Sequence, residues 1–228
     1  MGLYAIGDLH LSLSVDKSME VFGPAWSHYV ERIAASLSRL SADDTLVLAG
    51  DTSWGMSLDE AEADFRFLDR FPCRKLLVKG NHDYWWNTVS KMRNFFAERG
   101  FTTLDFLHNN CAFYGQYALC GTRGWFLEEE QKAHNAKVLS REVQRLETSL
   151  RAADGRNILC FLHYPPLYEG YRCPELLELL KTYHVERCCY GHLHGYAIAR
   201  RLEGLIDGTL FSLISADYLE FVPVKLLD

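Results

Sequence analysis

The chain has 228 residues, of which 48% are hydrophobic and 24% charged, and its formal net charge is −6. This length and composition are typical of one globular domain, which we predict over residues 1–228. The negative charge and the lack of a basic stripe argue against stable nucleic-acid binding, and no apolar run reaches the roughly 18 residues of a membrane helix.

The cysteines favour a reducing compartment. Their number is odd, they form no C-x-x-C pair, and most lie in apolar strand-like runs: Cys73, Cys111, Cys120, Cys160, Cys173, Cys188 and Cys189. We therefore expect buried thiols rather than disulfides. The N-terminus also lacks the basic and apolar regions of a signal peptide, so the sequence favours a cytoplasmic protein.

In the first half of the chain, apolar runs alternate with helical patterns. Residues 3–6, 45–49 and 75–78 are predicted strands, and each is followed by a glycine and a polar residue. Apolar side chains at helical spacing predict one helix from Trp26 to Leu40, begun by Gly23-Pro24, and another from Leu58 to Leu68. Such alternation predicts a parallel sheet covered on both faces, with ligands beyond the carboxyl ends of its strands.

The second half has a mixed pattern. Short strands are predicted near 101–106, 111–114 and 117–120, and a long helix is marked by apolar residues from Leu139 to Leu150. Strands over 157–162 and 186–190 lead into His163 and His192. The tail, 196–226, alternates short runs with glycines and predicts a final antiparallel set.

Five short fragments carry side chains that suggest a chemistry. They are Gly7-Asp8-Leu9-His10, Gly50-Asp51-Thr52, Gly80-Asn81-His82-Asp83, Leu162-His163-Tyr164 and Gly191-His192-Leu193-His194. Each follows an apolar run, so its polar side chains are expected at a strand end. Residues two apart on an extended segment face the same way, so Asp8 and His10 can reach one ion, as can His192 and His194.

The donor types indicate transition metals. Carboxylate, amide and imidazole donors without thiolate suit Mn, Fe or Zn rather than a cysteine-rich structural zinc site. Seven donors exceed the needs of one tetrahedral ion with an open position. They suit two ions about 3.5–4 Å apart that share a carboxylate.

The order D-x-H, G-D, G-N-H-D, H and G-H-x-H, over positions 8 to 194, resembles the calcineurin-like metallophosphoesterases. The resemblance implies a four-layer αββα sandwich of two mixed β-sheets flanked by helices. It also implies hydrolysis of a small phosphate ester, a monoester or a diester such as a nucleotide-like compound, by a hydroxide that bridges two divalent ions.

Carried over by position, the resemblance assigns Asp8, His10 and His194 to one metal. It assigns Asn81, His163 and His192 to the other, with Asp51 as the bridging ligand. His82 is implied as the general acid for the leaving oxygen, with Asp83 orienting it. Asn81 is also expected beside the substrate.

Arg123, in Gly121-Thr122-Arg123-Gly124-Trp125, is a candidate for substrate binding because a guanidinium matches a phosphate. A structural ion pair is the alternative. The aromatic residues near these fragments either line a pocket for an aromatic group or pack beneath loops: Trp54, Trp85, Trp86 and Trp125.

Two rival functions remain beside the phosphoesterase. One is a catalytically silent metal-binding scaffold of the same fold, although such proteins usually lose ligands and none is lost here. The other is a metallohydrolase of the metallo-β-lactamase type, but the clustered H-x-H-x-D-H that it needs is absent. The sequence leaves the substrate, the metal and the oligomeric state open.

Overall fold

The structure is a computed structural model that describes residues 1–125 and 132–228, with the backbone alone for 132–135. The helices are α1 (Tyr29–Leu37), α2 (Glu62–Asp69), α3 (Val89–Arg99), α4 (Lys132–Arg151) and α5 (Pro174–Thr182). The strands are β1 (Leu3–Ile6), β2 (Thr45–Ala49), β3 (Arg74–Val78), β4 (Leu104–Phe106), β5 (Cys111–Tyr114), β6 (Tyr117–Thr122), β7 (Asn157–Leu162), β8 (Leu167–Tyr168), β9 (Tyr171–Arg172), β10 (Arg187–Tyr190), β11 (Gly204–Ile206), β12 (Thr209–Leu213) and β13 (Val224–Leu227).

Two mixed sheets contain most of these strands. The first has the order β13-β1-β2-β3-β4, and the second has the order β11-β12-β10-β7-β6-β5. Within the first sheet β1 to β4 are parallel, and within the second β6, β7, β10 and β12 are parallel. The strands β13, β5 and β11 pair antiparallel at the sheet edges, and β8 and β9 form a separate hairpin.

The strands are apolar on both faces because each sheet lies between two layers. In β2, Leu46 and Leu48 pack into the core shared with the first three helices, whereas Val47 packs into the core between the sheets. In β7, Phe161 faces the core between the sheets, and Leu162 faces the core that includes side chains of α4 and α5. The expected four-layer αββα architecture is confirmed.

Two details differ from the sequence predictions. The first helix begins at Tyr29 rather than near Trp26, because His28 adopts a left-handed φ of 53° that separates it from the 3₁₀ turn Pro24–Trp26. The tail is not a purely antiparallel set: β12 lies parallel to β10, and β13 joins β1 in the other sheet. Strand direction depends on connections and long-range pairing, which the local alternation in the tail does not encode.

The state of the cysteines agrees with the expectation from composition. All seven are free thiols, and six of them are buried. Among the described residues, no helix combines the length and the apolar character needed to cross a membrane.

Candidate metal centre

The five sequence fragments meet at the carboxyl ends of strands from both sheets. Asp8 and His10 follow β1, Asp51 follows β2, and Asn81 lies three residues beyond β3. His163 follows β7, and His192 and His194 follow β10. The structure therefore brings together all seven residues predicted to bind metal.

The donor atoms form two adjacent groups. Asp8, His10 and His194 make one group, and Asp51, His163 and His192 make the other, with the donor atoms of each group within 4.8 Å of one another. Asp51 Oδ2 lies 3.7 Å from His10 Nε2 and 3.5 Å from His163 Nε2. One carboxylate oxygen thus stands between the two groups.

The backbone at these strand ends is unusual. Asp8, His10, Asp51 and His192 have φ angles of 60°, 47°, 50° and 72°. Non-glycine residues seldom adopt left-handed conformations, and those that persist cluster at functional sites. Here the conformation turns the chain sharply after each strand and directs the side chains to a common centre.

Glycines before the ligands allow close approach. A Cβ on Gly191 would lie 2.4 Å from Asp8 Oδ2, and one on Gly80 would lie 2.1 Å from Asp51 Oδ1. A Cβ on Gly50 would lie 2.6 Å from His163 Nδ1. Each of these three glycines leaves room for a ligand delivered by another strand.

His163 has a defined tautomer. Its Nδ1 lies 3.1 Å from the carbonyl oxygen of Ala49, which can only accept, so Nδ1 carries the hydrogen. Complete burial lowers the pKa of His163, so the ring is neutral and Nε2 presents a lone pair. That lone pair faces Asn81 Oδ1 at 2.6 Å, and two acceptors so placed fit a shared cation.

The first donor group depends on His194. Its Nδ1 lies 3.0 Å from Asp217 Oδ1, and its Nε2 lies 3.1 Å from Asp8 Oδ1 and 3.4 Å from His10 Nε2. Burial acts to lower the pKa of His194, but the carboxylates of Asp8 and Asp217 outweigh it and raise that pKa to about 10. The two carboxylates therefore stabilise a positive charge at this position.

The pKa of Asp51 also indicates a position that favours a bound cation. Burial, with repulsion from the Asp8 carboxylate, raises the pKa of Asp51 to about 8. Two buried carboxylates so close together are costly unless a cation or a proton neutralises them. The donor types, the fixed tautomer of His163 and the charge deficit all fit divalent transition metals.

His82 lies at the edge of the centre, on the same loop as Asn81. Its backbone N–H donates to Asp51 Oδ1 at 2.7 Å, and its ring packs against Trp54 with centroids 4.4 Å apart. The hydroxyl of Tyr84 lies 3.5 Å from His82 Nδ1. Burial, together with the nearby His163 and Lys17, lowers the pKa of His82 to about 4.

Asp83 holds the loops together. Its carboxylate accepts backbone N–H groups of Asp51 at 2.9 Å and Gly80 at 2.7 Å, as well as those of Thr52 and Ser53. It also accepts the indole N–H of Trp85 at 3.0 Å. Among the described residues, no hydrogen bond joins Asp83 to the His82 ring. These contacts therefore do not provide the expected orientation of His82 by Asp83.

Arg123 makes the ion pair that was the alternative to phosphate binding. Its Nη2 lies 3.6 Å from Glu142 Oε1, and its guanidinium lies over Trp125, 4.7 Å from the ring centroid. Its carbonyl oxygen accepts the backbone N–H of His163 at 3.2 Å. Arg123 is thus beside the centre, and its side chain remains 19% exposed.

The four aromatic residues divide between the site and the core. Trp54 stacks on His10 with centroids 4.9 Å apart. Trp125 packs against Tyr164, the neighbour of His163. Trp85 is fully buried and Trp86 packs on Phe106, so a pocket-lining role is wrong for Trp85.

Asp217 is a site residue that the motifs did not reveal. It follows the second sheet's β12 by four residues and lies outside every recognised fragment. Its Oδ1 faces His194, and its Oδ2 accepts the N–H of Gly195 at 3.0 Å. Carboxylates that orient metal-binding histidines in this way carry no fixed sequence spacing, so only the fold could place Asp217.

Comparisons with known proteins agree with this geometry. A family model described as "Calcineurin-like phosphoesterase" matches residues 1–196. A search of curated proteins finds no match. Among solved structures, the protein of unknown function AQ665 from Aquifex aeolicus is 15% identical, with a TM-score of 0.55 and coverage of 98% of this chain and 95% of that one. TT1561 of Thermus thermophilus is 13% identical, with a TM-score of 0.58 and coverage of 99% and 97%. These two likenesses show the fold alone.

Proposed function

We propose that this chain, which belongs to the calcineurin-like phosphoesterase family, hydrolyses a small phosphate ester at a centre of two divalent metal ions. The observation that carries the proposal is the position of Asp51 Oδ2, within 3.7 Å of donors in both groups. A carboxylate so placed suits two ions that share one ligand.

Each donor group would hold one ion. Asp8, His10 and His194 would hold the first, and His163, His192 and Asn81 the second, with Asp51 contacting both. Mn, Fe and Zn all suit these oxygen and nitrogen donors. When bound, such ions supply Lewis acidity, which activates water and offsets the charge that develops on the phosphate.

The protein contributes position and proton transfer. We assign His82 as the general acid that donates a proton to the leaving oxygen, because its partly exposed ring lies 5.7 Å from the His10 ring and its backbone N–H donates to Asp51. The low pKa of about 4 means that this ring is neutral at neutral pH before substrate binds. The negative charge of a bound phosphate would raise that pKa and allow protonation.

Asp83 and Arg123 have supporting roles in this proposal. Asp83 fixes the loops that carry Asp51 and Asn81 through its backbone hydrogen bonds. Arg123 and Asn81 are assigned to substrate binding, since both border the second donor group. A small phosphate ester is the proposed partner, the proposal includes no stable binding to nucleic acid and no membrane, and the proposed location is the cytoplasm.

The test uses metal-stripped protein reconstituted separately with Mn, Fe and Zn. We expect hydrolysis of p-nitrophenyl phosphate or bis(p-nitrophenyl) phosphate with at least one metal, and its loss on chelation. Asp51→Asn should abolish turnover, because the amide lacks the charge that two cations share. Asp43→Asn, at an exposed carboxylate, is the matched control. Stoichiometric metal binding without hydrolysis of any ester would instead identify a silent scaffold.

A further inference from the structure

Three basic side chains lie beside the metal centre, and we call Lys79, Arg123 and Arg145 the basic cluster. Lys79 follows β3 and directly precedes Gly80-Asn81. Arg123 follows β6, whose neighbour β7 delivers His163, and Arg145 lies on α4. The cluster therefore continues the rim on which the metal donors stand.

One buried carboxylate serves two of these cations. Glu142 is 1% exposed, and its Oε1 lies 3.6 Å from Arg123 Nη2 and 2.5 Å from Arg145 Nη1. Its Oε2 accepts the hydroxyl of Thr122 at 2.8 Å. Within the described part of the chain, the side chain of Lys79 forms neither a hydrogen bond nor an ion pair. Among the described residues, one carboxylate thus forms the ion pairs of this cluster of three basic side chains.

Besides burial, the positive charge of the cluster lowers the pKa of a neighbouring histidine. Burial, reinforced by Arg145 and Lys79, lowers the pKa of His108 to about 4. Asp83 also lies within electrostatic reach of Lys79, but its oxygens accept backbone N–H groups beneath the loop. An anion would relieve the repulsion within the cluster.

The described contacts of the cluster do not use all of its hydrogen-bond donors. Arg123 Nε is buried and has no hydrogen-bond partner among the described residues. The side chain of Arg145 is 42% exposed, which leaves it accessible from solvent. A chain of contacts joins the cluster to a metal donor, since Arg123 lies over Trp125, Trp125 packs on Tyr164, and Tyr164 packs on His192 at 4.5 Å.

We propose that the basic cluster is a second anion subsite, and that the preferred substrates are phosphate esters carrying a further phosphate group besides the one that is cleaved. This inference rests on the proposed function, in which the scissile phosphate would bind at the metal centre. A guanidinium group can donate two parallel hydrogen bonds to phosphate oxygens, and a lysine adds a point charge.

The experiment compares two substrates with the same scissile bond. They are thymidine 5′-(p-nitrophenyl phosphate) and its 3′-phosphorylated analogue, assayed at low ionic strength with the metal-loaded protein. We expect kcat/KM to be at least about tenfold higher for the analogue, as hydrogen bonds to charged groups warrant. The advantage should shrink as salt is added.

Variants then locate the preference. Lys79→Met and Arg145→Met should each reduce the ratio of the two kcat/KM values, and Arg145→Lys should partly restore it. Lys181→Met, which removes an equal charge from the exposed face of α5, should leave the ratio unchanged. Thermal unfolding of each variant separates loss of the subsite from loss of the fold, since Arg145→Met leaves Glu142 with one partner fewer.

The possible results decide between the two proposals. Hydrolysis of both esters at equal kcat/KM would refute the subsite while the phosphoesterase stands. Equal losses on both esters in the variants would place the cluster at the scissile phosphate and overturn the inference. If neither ester is hydrolysed, calorimetric binding of thymidine 3′,5′-bisphosphate and 5′-monophosphate decides the subsite separately: tighter bisphosphate binding supports it, and equal affinities refute it.

Discussion

Replacing Gly191 with alanine tests whether the lack of a side chain at this motif glycine is needed to make room for a metal ligand from another strand. The new Cβ would lie 2.4 Å from Asp8 Oδ2, about 1 Å less than the 3.4 Å at which ordinary contact begins. Asp8 is completely buried, so its carboxylate cannot move away into solvent. A displacement of about 1 Å at a reacting centre costs roughly 100-fold in rate. We therefore expect kcat/KM with p-nitrophenyl phosphate to fall about 100-fold, with weaker metal binding.

Gly7 offers a matched control at the end of β1, in the other sheet. Like Gly191 it directly precedes a metal donor, yet a Cβ there would meet Ala49 only at 3.4 Å, which is ordinary contact. Gly7→Ala should therefore keep most of the activity and metal affinity. The steric argument fails if Gly191→Ala retains the wild-type rate, or if the two variants are equally impaired.

Three further predictions follow from individual contacts. His82→Ala should slow hydrolysis of alkyl phosphates by about 100-fold or more but that of nitrophenyl esters much less, since a good leaving group needs no proton; equal losses would remove His82 as the acid. Asp217→Asn should weaken metal binding by about 10–100-fold relative to Asp43→Asn, measured by calorimetry, because the amide orients His194 less firmly; unchanged affinity would contradict its role. Because the pKa values of His194 and Asp51 are raised to about 10 and about 8, both are protonated at pH 7, so metal binding should release protons. Titration at pH 7 in two buffers of different ionisation enthalpy measures this release, which should decrease as the pH rises through about 8; equal apparent binding enthalpies in the two buffers would contradict it.

Much of the fold and centre could be predicted because the relevant signals are local. Each parallel strand is a short apolar run, as in Thr45–Ala49, because both its faces are buried. Each donor fragment directly follows such a run, so its place at the carboxyl edge of a sheet follows from the chain itself. The glycine before Asp51 or His192 marks the same edge by its need for close packing.

The remaining features depend on contacts between distant parts of the chain. The parallel pairing of β12 with β10 and the return of β13 to β1 are set by packing, which no window of the tail contains. Asp83 was expected to orient His82, but its short side chain lies beneath the loop and collects backbone N–H groups. Asp217 and Glu142 reach the site only through tertiary structure, so neither has a recognisable motif.

A manganese-loaded crystal, with anomalous diffraction recorded near the manganese edge, tests the central claim most directly. The account predicts two anomalous peaks per chain, one beside Asp8, His10 and His194 and one beside His163, with the Asp51 carboxylate touching both. A single peak, or none at these side chains in protein shown to contain manganese, would contradict a paired metal centre.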